Sequence, residues 1–245
     1  MDRREFLDRF VFVRKCGGCG EILDYEHTRG AFCAECVKDW HQAKAENCAE
    51  CLRVVTECTC VPKGLSGKGM AALRKLIFYL PKHREKPRNK LIYFLKRHPN
   101  RRMARFVAAE LWTALEDELR TQGWSERKDE ILIVNIPRGH KAKIRYGFDQ
   151  SELICRELSA LCGIPFEGAI RRRRGGKEQK RLSRGKRFRN IRGLFYVKEK
   201  TPLAGRCVIL MDDIVTSGAS MAACLELMQK AGAVCVIGCA IAMDR

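Results

Sequence analysis

Three stretches of the chain are apolar almost without a break: ILIVNIP from Ile131, CVILM from Cys207 and AVCVIGCAIA from Ala233. Apolar runs without alternation predict strands buried on both faces of a sheet. Segments of helical period lie between them. SELICRELSALCG sets Leu153, Ile154, Leu158 and Leu161 on one side and stops at Gly163, and Ser220 to Ala231 reads as another helix ending near Gly232. Buried strands separated by helices predict a mainly parallel sheet over residues 131–245. Upstream, Arg101 to Arg120 reads as an amphipathic helix with Phe106, Ala109, Trp112 and Leu115 on one face. MAALRKLIFYL, broken by Pro81, and KLIYFLKRH, ending before Pro99, read as further helical pieces. Pro62 and three glycines in VPKGLSGKG mark a hinge. Residues 62–130 are therefore expected to be a basic linker and helical segment, and residues 1–61 a separate small domain.

Composition narrows the class. The chain has 245 residues, 46% of them hydrophobic, which is enough for a substantial core. No run of eighteen apolar residues exists, so no membrane span is expected. The opening MDRREFLDRFVFVRK lacks an apolar core and a small-residue cleavage site, so the expected location is the cytoplasm. A formal net charge of +19 favours polyanionic partners: nucleic acid, phosphorylated metabolites or an acidic membrane surface.

Fourteen cysteines without an export signal point to metal sites rather than disulfides. Eight come in pairs: Cys16 and Cys19, Cys33 and Cys36, Cys48 and Cys51, Cys58 and Cys60. A two-residue spacer lets both sulfurs of a knuckle face one ion, and zinc takes four thiolates tetrahedrally, so eight cysteines predict two zinc ions. Spacing allows sequential sharing, Cys16 to Cys36 and Cys48 to Cys60, and also an interleaved arrangement. His27 and His41 lie outside the knuckle pattern. Four-thiolate sites leave no open coordination position, so the expected role is structural.

The candidate chemistry lies in CVILMDDIVTSGAS. Asp212 and Asp213 end a predicted strand, where parallel α/β sheets bind ligands. The loop after them runs through Thr216, Ser217, Gly218, Ala219 and Ser220 into a helix. Its hydroxyls, its backbone N–H groups and the helix dipole form a cradle for phosphate. Two carboxylates would repel that phosphate, so they are expected to serve ribose hydroxyls, with magnesium offsetting charge.

This segment resembles the phosphoribosyl pyrophosphate motif of type I phosphoribosyltransferases: four apolar residues, two acids, two variable positions, then Thr-Thr/Ser-Gly. The resemblance implies a phosphoribosyltransferase-like α/β domain in which Asp212 and Asp213 hold the ribose and Thr216 to Ser220 hold the 5′-phosphate. Residues 131–245 also resemble the ComF family. RYGFDQSELICREL is similar to its Arg-Gly-Phe-Asn-Gln stretch, with Tyr146 inserted before Gly147 and Asp149 in place of Asn. In RRRRGGKEQKRLSRGKRFRNIRGLF, the residues Gln179, Leu182, Arg187, Asn190 and Gly193 fall at that family's spacing. LIYFLKRH and the cysteine pairs fit as well. The resemblance implies a double zinc ribbon ahead of the α/β domain and a role in natural transformation, handling single-stranded DNA, with a DNA-processing protein as a possible partner. The alternative it leaves is an active transferase with an unknown base or amine acceptor.

Two further pieces complete the expected site. In NIPRGHKAK, Arg138 and Gly139 follow the first strand, where this fold holds its pyrophosphate loop. Residues 170–193 hold twelve Lys or Arg and one acid, Glu178. Arg171, Arg172, Arg173, Arg174, Lys177, Lys180, Arg181, Arg184, Lys186 and Arg187 are candidates either to close over pyrophosphate or to hold a nucleic-acid backbone. No residue stands out as a nucleophile, so the catalytic residues are unknown; Cys155, Cys162, Cys207, Cys224, Cys235 and Cys239 read as core. A phospho-acceptor receiver domain is excluded because too little chain follows Asp213, and no Walker motif is present.

Overall fold

The computed structural model describes residues 14–23, 30–83, 86–173, 191 and 193–244. Four parallel strands form the main sheet: β1 (Ala72–Tyr79), β2 (Ile131–Asn135), β5 (Cys207–Val215) and β6 (Cys235–Asp244), in the order β1-β6-β5-β2. A separate antiparallel pair joins β3 (Ile170–Arg172) to β4 (Phe195–Val197). The helices are α1 (Ala34–Lys44), α2 (Pro87–Arg97), α3 (Arg101–Thr121), α4 (His140–Tyr146), α5 (Gln150–Cys162) and α6 (Ala219–Lys230). The α/β class and parallel sheet expected from the apolar runs are what the fold has.

One expectation fails. MAALRKLIFYL is not helical: Ala72–Tyr79 is the edge strand of the main sheet, paired in parallel with β6 from Ala72–Ile237 to Tyr79–Asp244. A short apolar run fits strand and helix alike, and here the unpaired edge of β6 decides between them. The main sheet therefore draws a strand from the stretch read as linker and helix.

Alternation along the strands builds two cores. One face buries Leu76, Ile133, Ile209 and Ile237 against α3 and α5, and the other buries Leu73, Val134, Leu210 and Val236 on the side of α6. The buried stripe of α3 is Met103, Ala104, Val107, Ala108, Leu111, Leu115 and Leu119. The expected stripe is thus rotated by about one position: Ala109 is exposed, while Phe106 and Trp112 flank the core as half-buried neighbours. Along α5, Ile154 and Leu158 are buried, but Leu161 is half exposed near the Gly163 cap.

The cysteine-rich region straddles the sheet. Cys16 and Cys36 belong to the core of the α3 face, with Phe32 and Trp40 packed on Phe106. Cys48 and Cys58 belong to the core of the α6 face. The segment after Cys60 is not a free hinge. Leu65 is buried beside Gly218, Lys68 pairs with Glu226 at 2.8 Å, and Gln229 donates to the carbonyl of Lys68 at 2.9 Å.

Candidate functional site

The two cysteine quartets are sequential. The sulfurs of Cys16, Cys19, Cys33 and Cys36 lie within 4.8 Å of one another, and so do those of Cys48, Cys51, Cys58 and Cys60. Four thiolates ~2.3 Å from one tetrahedral zinc would stand about 3.8 Å apart. The Cys19 and Cys33 sulfurs are 3.7 Å apart, so that pair already has the spacing of two ligands on one ion. Each quartet could hold a zinc ion.

Local hydrogen bonds prepare one thiol in each group. Burial acts to raise the Cys16 thiol, but the backbone N–H groups of Cys33, Cys19 and Gly18 bring it down to about 7. Cys48 reaches about 7 in the same way, against burial, through the N–H groups of Cys51 and Glu50. Burial and neighbouring sulfurs push Cys36 and Cys60 up. Four crowded thiols cannot all ionise without a cation between them, which is the donor chemistry of a metal centre.

The body of the protein holds the backbone around both quartets by its carbonyls. Arg102 of α3 donates to the carbonyls of Gly30 and Lys15 at 2.6 and 2.8 Å. Lys75 of β1 donates to those of Cys58 and Cys60 at 2.8 and 3.0 Å, and Arg74 reaches Thr56. His41 lies on α1, outside both quartets; His27 falls outside the described residues.

The acidic pair lies within β5, which continues to Val215 instead of ending at Met211. Consecutive strand residues face opposite sides of the sheet, so the two acids have different surroundings. Asp213 faces α2 and α5. Its Oδ2 accepts from the amide of Gln150 and pairs with the Lys96 ammonium at 3.2 Å, while its Oδ1 accepts from the Ile214 N–H at 2.7 Å. Among the described residues Asp212 has no ion pair, and Lys96 acts on it only as a weaker, more distant charge. Desolvation first, and the neighbouring charge of Asp213 second, push its carboxyl well above the usual carboxylate range.

After the strand, Thr216 and Ser217 are exposed, and Gly218 caps α6 with φ of 75°. A Cβ on Gly218 would stand 3.0 Å from Leu65, so both the left-handed turn and the packed segment require glycine there. Ala219 and Ser220 open the helix.

The turn after β2 joins the same region. Arg138 N–H donates to Asp149 at 2.7 Å, its guanidinium donates to the Lys96 carbonyl at 2.8 Å, and it stacks 4.6 Å from the Tyr146 ring. Asp149 also caps α5 through the Ser151 N–H. A Cβ on Gly139 would lie 3.6 Å from the Arg172 guanidinium, so the β2 turn and the β3–β4 pair are adjacent. Arg171, Arg172 and Arg173 are exposed, with Arg172 over Phe195 and Arg173 over Tyr196. Arg174, Lys177, Lys180, Arg181, Arg184, Lys186 and Arg187 lie outside the described residues.

Pattern reading of the sequence missed Lys96, Gln150 and Asp149 as members of this cluster. No local motif marks them; the end of α2 and the start of α5 bring them to Asp213 and Arg138. Cys155, Cys162, Cys207, Cys224 and Cys239 are buried and Cys235 half-buried, as core residues are. Among the described residues no helix is long and apolar enough to cross a membrane.

No family model matches the chain. It is similar to the DNA utilization protein YhgH of Escherichia coli K12, at 33% identity over 105 residues, covering 42% of this chain and 45% of that protein. The protein of the same name from Salmonella typhi is 32% identical over 105 residues with the same coverage. The chain thus spans a little under half the length of these curated relatives. A solved purine phosphoribosyltransferase from Pyrococcus horikoshii aligns with a TM-score of 0.32 and 20% identity, over 55% of this chain and 72% of that one. That likeness is too slight to bear on fold or ligand.

Proposed function

We propose that this is a ComF-type protein of natural transformation, acting on single-stranded DNA in the cytoplasm and binding phosphoribosyl pyrophosphate with magnesium at the acidic end of β5. In this reading Asp212 and Asp213 accept hydrogen bonds from the ribose hydroxyls. The Thr216–Ser220 turn and the N-terminus of α6 take the 5′-phosphate. Arg138 and Gly139 face the pyrophosphate, and magnesium offsets the charge of phosphates and carboxylates. Two zinc ions hold the cysteine quartets as structural centres. The exposed Arg171–Arg173 run and the net charge of +19 suit a nucleic-acid backbone. The relatives named for DNA utilization support the DNA part.

The observation that carries the ligand part is the linkage of three separate elements. Asp213 of β5 pairs with Lys96, the Lys96 carbonyl holds Arg138, and Gly139 adjoins Arg172. An acidic strand end and two cationic anion-binding candidates are thereby set around one place, as a sugar bearing phosphates at both ends requires.

Calorimetric titration of the zinc-loaded protein with phosphoribosyl pyrophosphate and magnesium tests this, beside an Asp212→Asn/Asp213→Asn variant. Saturable binding that the variant loses is the expected result, and absence of heat in both sinks the ligand reading. Single-stranded DNA affinity measured across salt concentrations should fall linearly on logarithmic axes, with a slope of several phosphate contacts. Pyrophosphate release on adding a nucleobase or amine would turn the reading toward an active transferase.

A further inference from the structure

We propose that Lys96 is itself part of the ligand site, a counter-ion that neutralises Asp213 before binding and turns to the pyrophosphate once a ribose diol engages the carboxylate. The inference rests on the phosphoribosyl pyrophosphate reading above and adds a residue that the strand-and-loop motif does not contain.

Asp213 is already well supplied. A carboxylate offers about four lone-pair positions. Three are used here, by the Ile214 N–H, the Gln150 amide and the Lys96 ammonium. A vicinal diol donating to this carboxylate needs room that one of these partners must yield. Ile214 is backbone of the strand, and Gln150 is only 4% exposed in the first turn of α5. Lys96 alone sits on a flexible four-carbon stem, in the last turn of α2, with its side chain 27% exposed. It is the partner that can leave.

Gln150 indicates what should arrive. Its Nε2 is spent on Asp213, and its Oε1 is buried with no hydrogen-bond partner. Flipping the amide would only turn an oxygen toward the carboxylate. A buried acceptor left empty is destabilising, and beside a carboxylate it calls for a donor. A sugar hydroxyl is such a donor, whereas a phosphate oxygen is not.

The destination of Lys96 is also marked. Its carbonyl holds the Arg138 guanidinium at 2.8 Å, so its stem starts next to the turn proposed for the pyrophosphate. A freed ammonium there joins Arg138 as a second cation facing the anion. Lys96 would then trade one anionic partner for another, and the acid pair would be neutralised only while no sugar is bound.

The test compares two ligands on the full, zinc-loaded chain: phosphoribosyl pyrophosphate with magnesium, and ribose 5-phosphate, which lacks the pyrophosphate. In Lys96→Met the first should bind at least tenfold more weakly, and the second as well as in wild type or better, because its diol no longer competes with an ammonium. Lys96→Arg should recover most of the loss. Equal weakening of both ligands would make Lys96 a merely structural residue and overturn the proposal. Unchanged affinity for both in a variant of wild-type melting temperature would overturn it as well. If the folded wild type binds neither ligand, the phosphoribosyl pyrophosphate reading fails and takes this proposal with it. That outcome is distinct from a wild type that binds and a variant that does not differ from it.

Discussion

The ammonium of Lys75, wholly buried in the edge strand, donates to the carbonyl of Cys58 at 2.8 Å and to that of Cys60 at 3.0 Å. A buried cation needs compensating negative charge. Here the two carbonyls supply partial negative charge, and Lys75 in turn opposes the burial that raises the Cys58 thiol.

Lys75→Met keeps the stem but leaves two buried carbonyls without their donor. The expected cost is about 1–3 kcal/mol in thermal or denaturant unfolding. Chelator-driven release of one zinc per chain should also accelerate, with the other ion unaffected. Equal release of both ions would argue that Lys75 acts on the whole fold and not on the second centre.

Removing metal should act on two cores separately, because each quartet is built into a different face of the sheet. Elemental analysis should find two zinc ions in the wild type and one in Cys16→Ser. Loss of the first ion should loosen the packing of Trp40 against Phe32 and Phe106, read as a red shift of tryptophan emission. Unchanged emission in the variant would mean that the core beneath α1 stands without its metal.

Asp212→Asn should stabilise the ligand-free protein, on the order of 1 kcal/mol at neutral pH, while abolishing sugar binding. The raised carboxyl of Asp212 means that the folded state holds its proton more tightly than the unfolded chain does. The contribution of Asp212 to stability is therefore greatest below the ordinary aspartate range, near pH 4, and is lost as pH rises through the higher folded value. The gain from Asn should be absent near pH 3 and grow toward neutrality. A gain independent of pH would point to packing instead of charge.

Glu157 presents the opposite sign. It is nearly buried on α5 and receives Arg101 at 2.7 Å and Arg105 at 3.1 Å from α3. Burial raises its carboxyl, but the two guanidinium groups outweigh burial and hold it below the usual range. Its contribution is present above the ordinary glutamate range, about pH 4.3, and is lost as pH falls through the lower folded value. Glu157→Gln should cost roughly 1 kcal/mol at pH 7, since both arginines are largely exposed and screened. The difference from wild type should vanish in acid, and a constant difference down to pH 2 would refute the charge argument.

Legibility followed how local the determinant was. The strands Ile131–Asn135, Cys207–Val215 and Cys235–Asp244 were readable because a strand buried on both faces leaves an uninterrupted apolar run. The α5 helix was readable from its period and from Gly163. Ala72–Tyr79 was not, because Arg74 and Lys75 interrupt it, and the partners that make their burial tolerable are Glu118 of α3 and carbonyls of the cysteine region. The acids and the Gly218 turn form one contiguous word. Lys96 and Gln150 do not: they reach Asp213 only after α2 and α5 have packed, and nothing in their own neighbourhoods announces it.

The register that sets Ala72 beside Ile237 also sets an order of events during synthesis. The edge strand is made well before β6, its hydrogen-bonding neighbour in the sheet among the described residues, with β2 to β5 and all of residues 80–234 lying between the two in the chain. Through that interval β1 carries an apolar surface and an open backbone that other chains could capture. The cysteine region, made before β1 and bound to it by Arg74 and Lys75, is already available to cover it. Cells starved of zinc during translation should therefore accumulate this protein in aggregates, even where zinc added to the finished chain restores little.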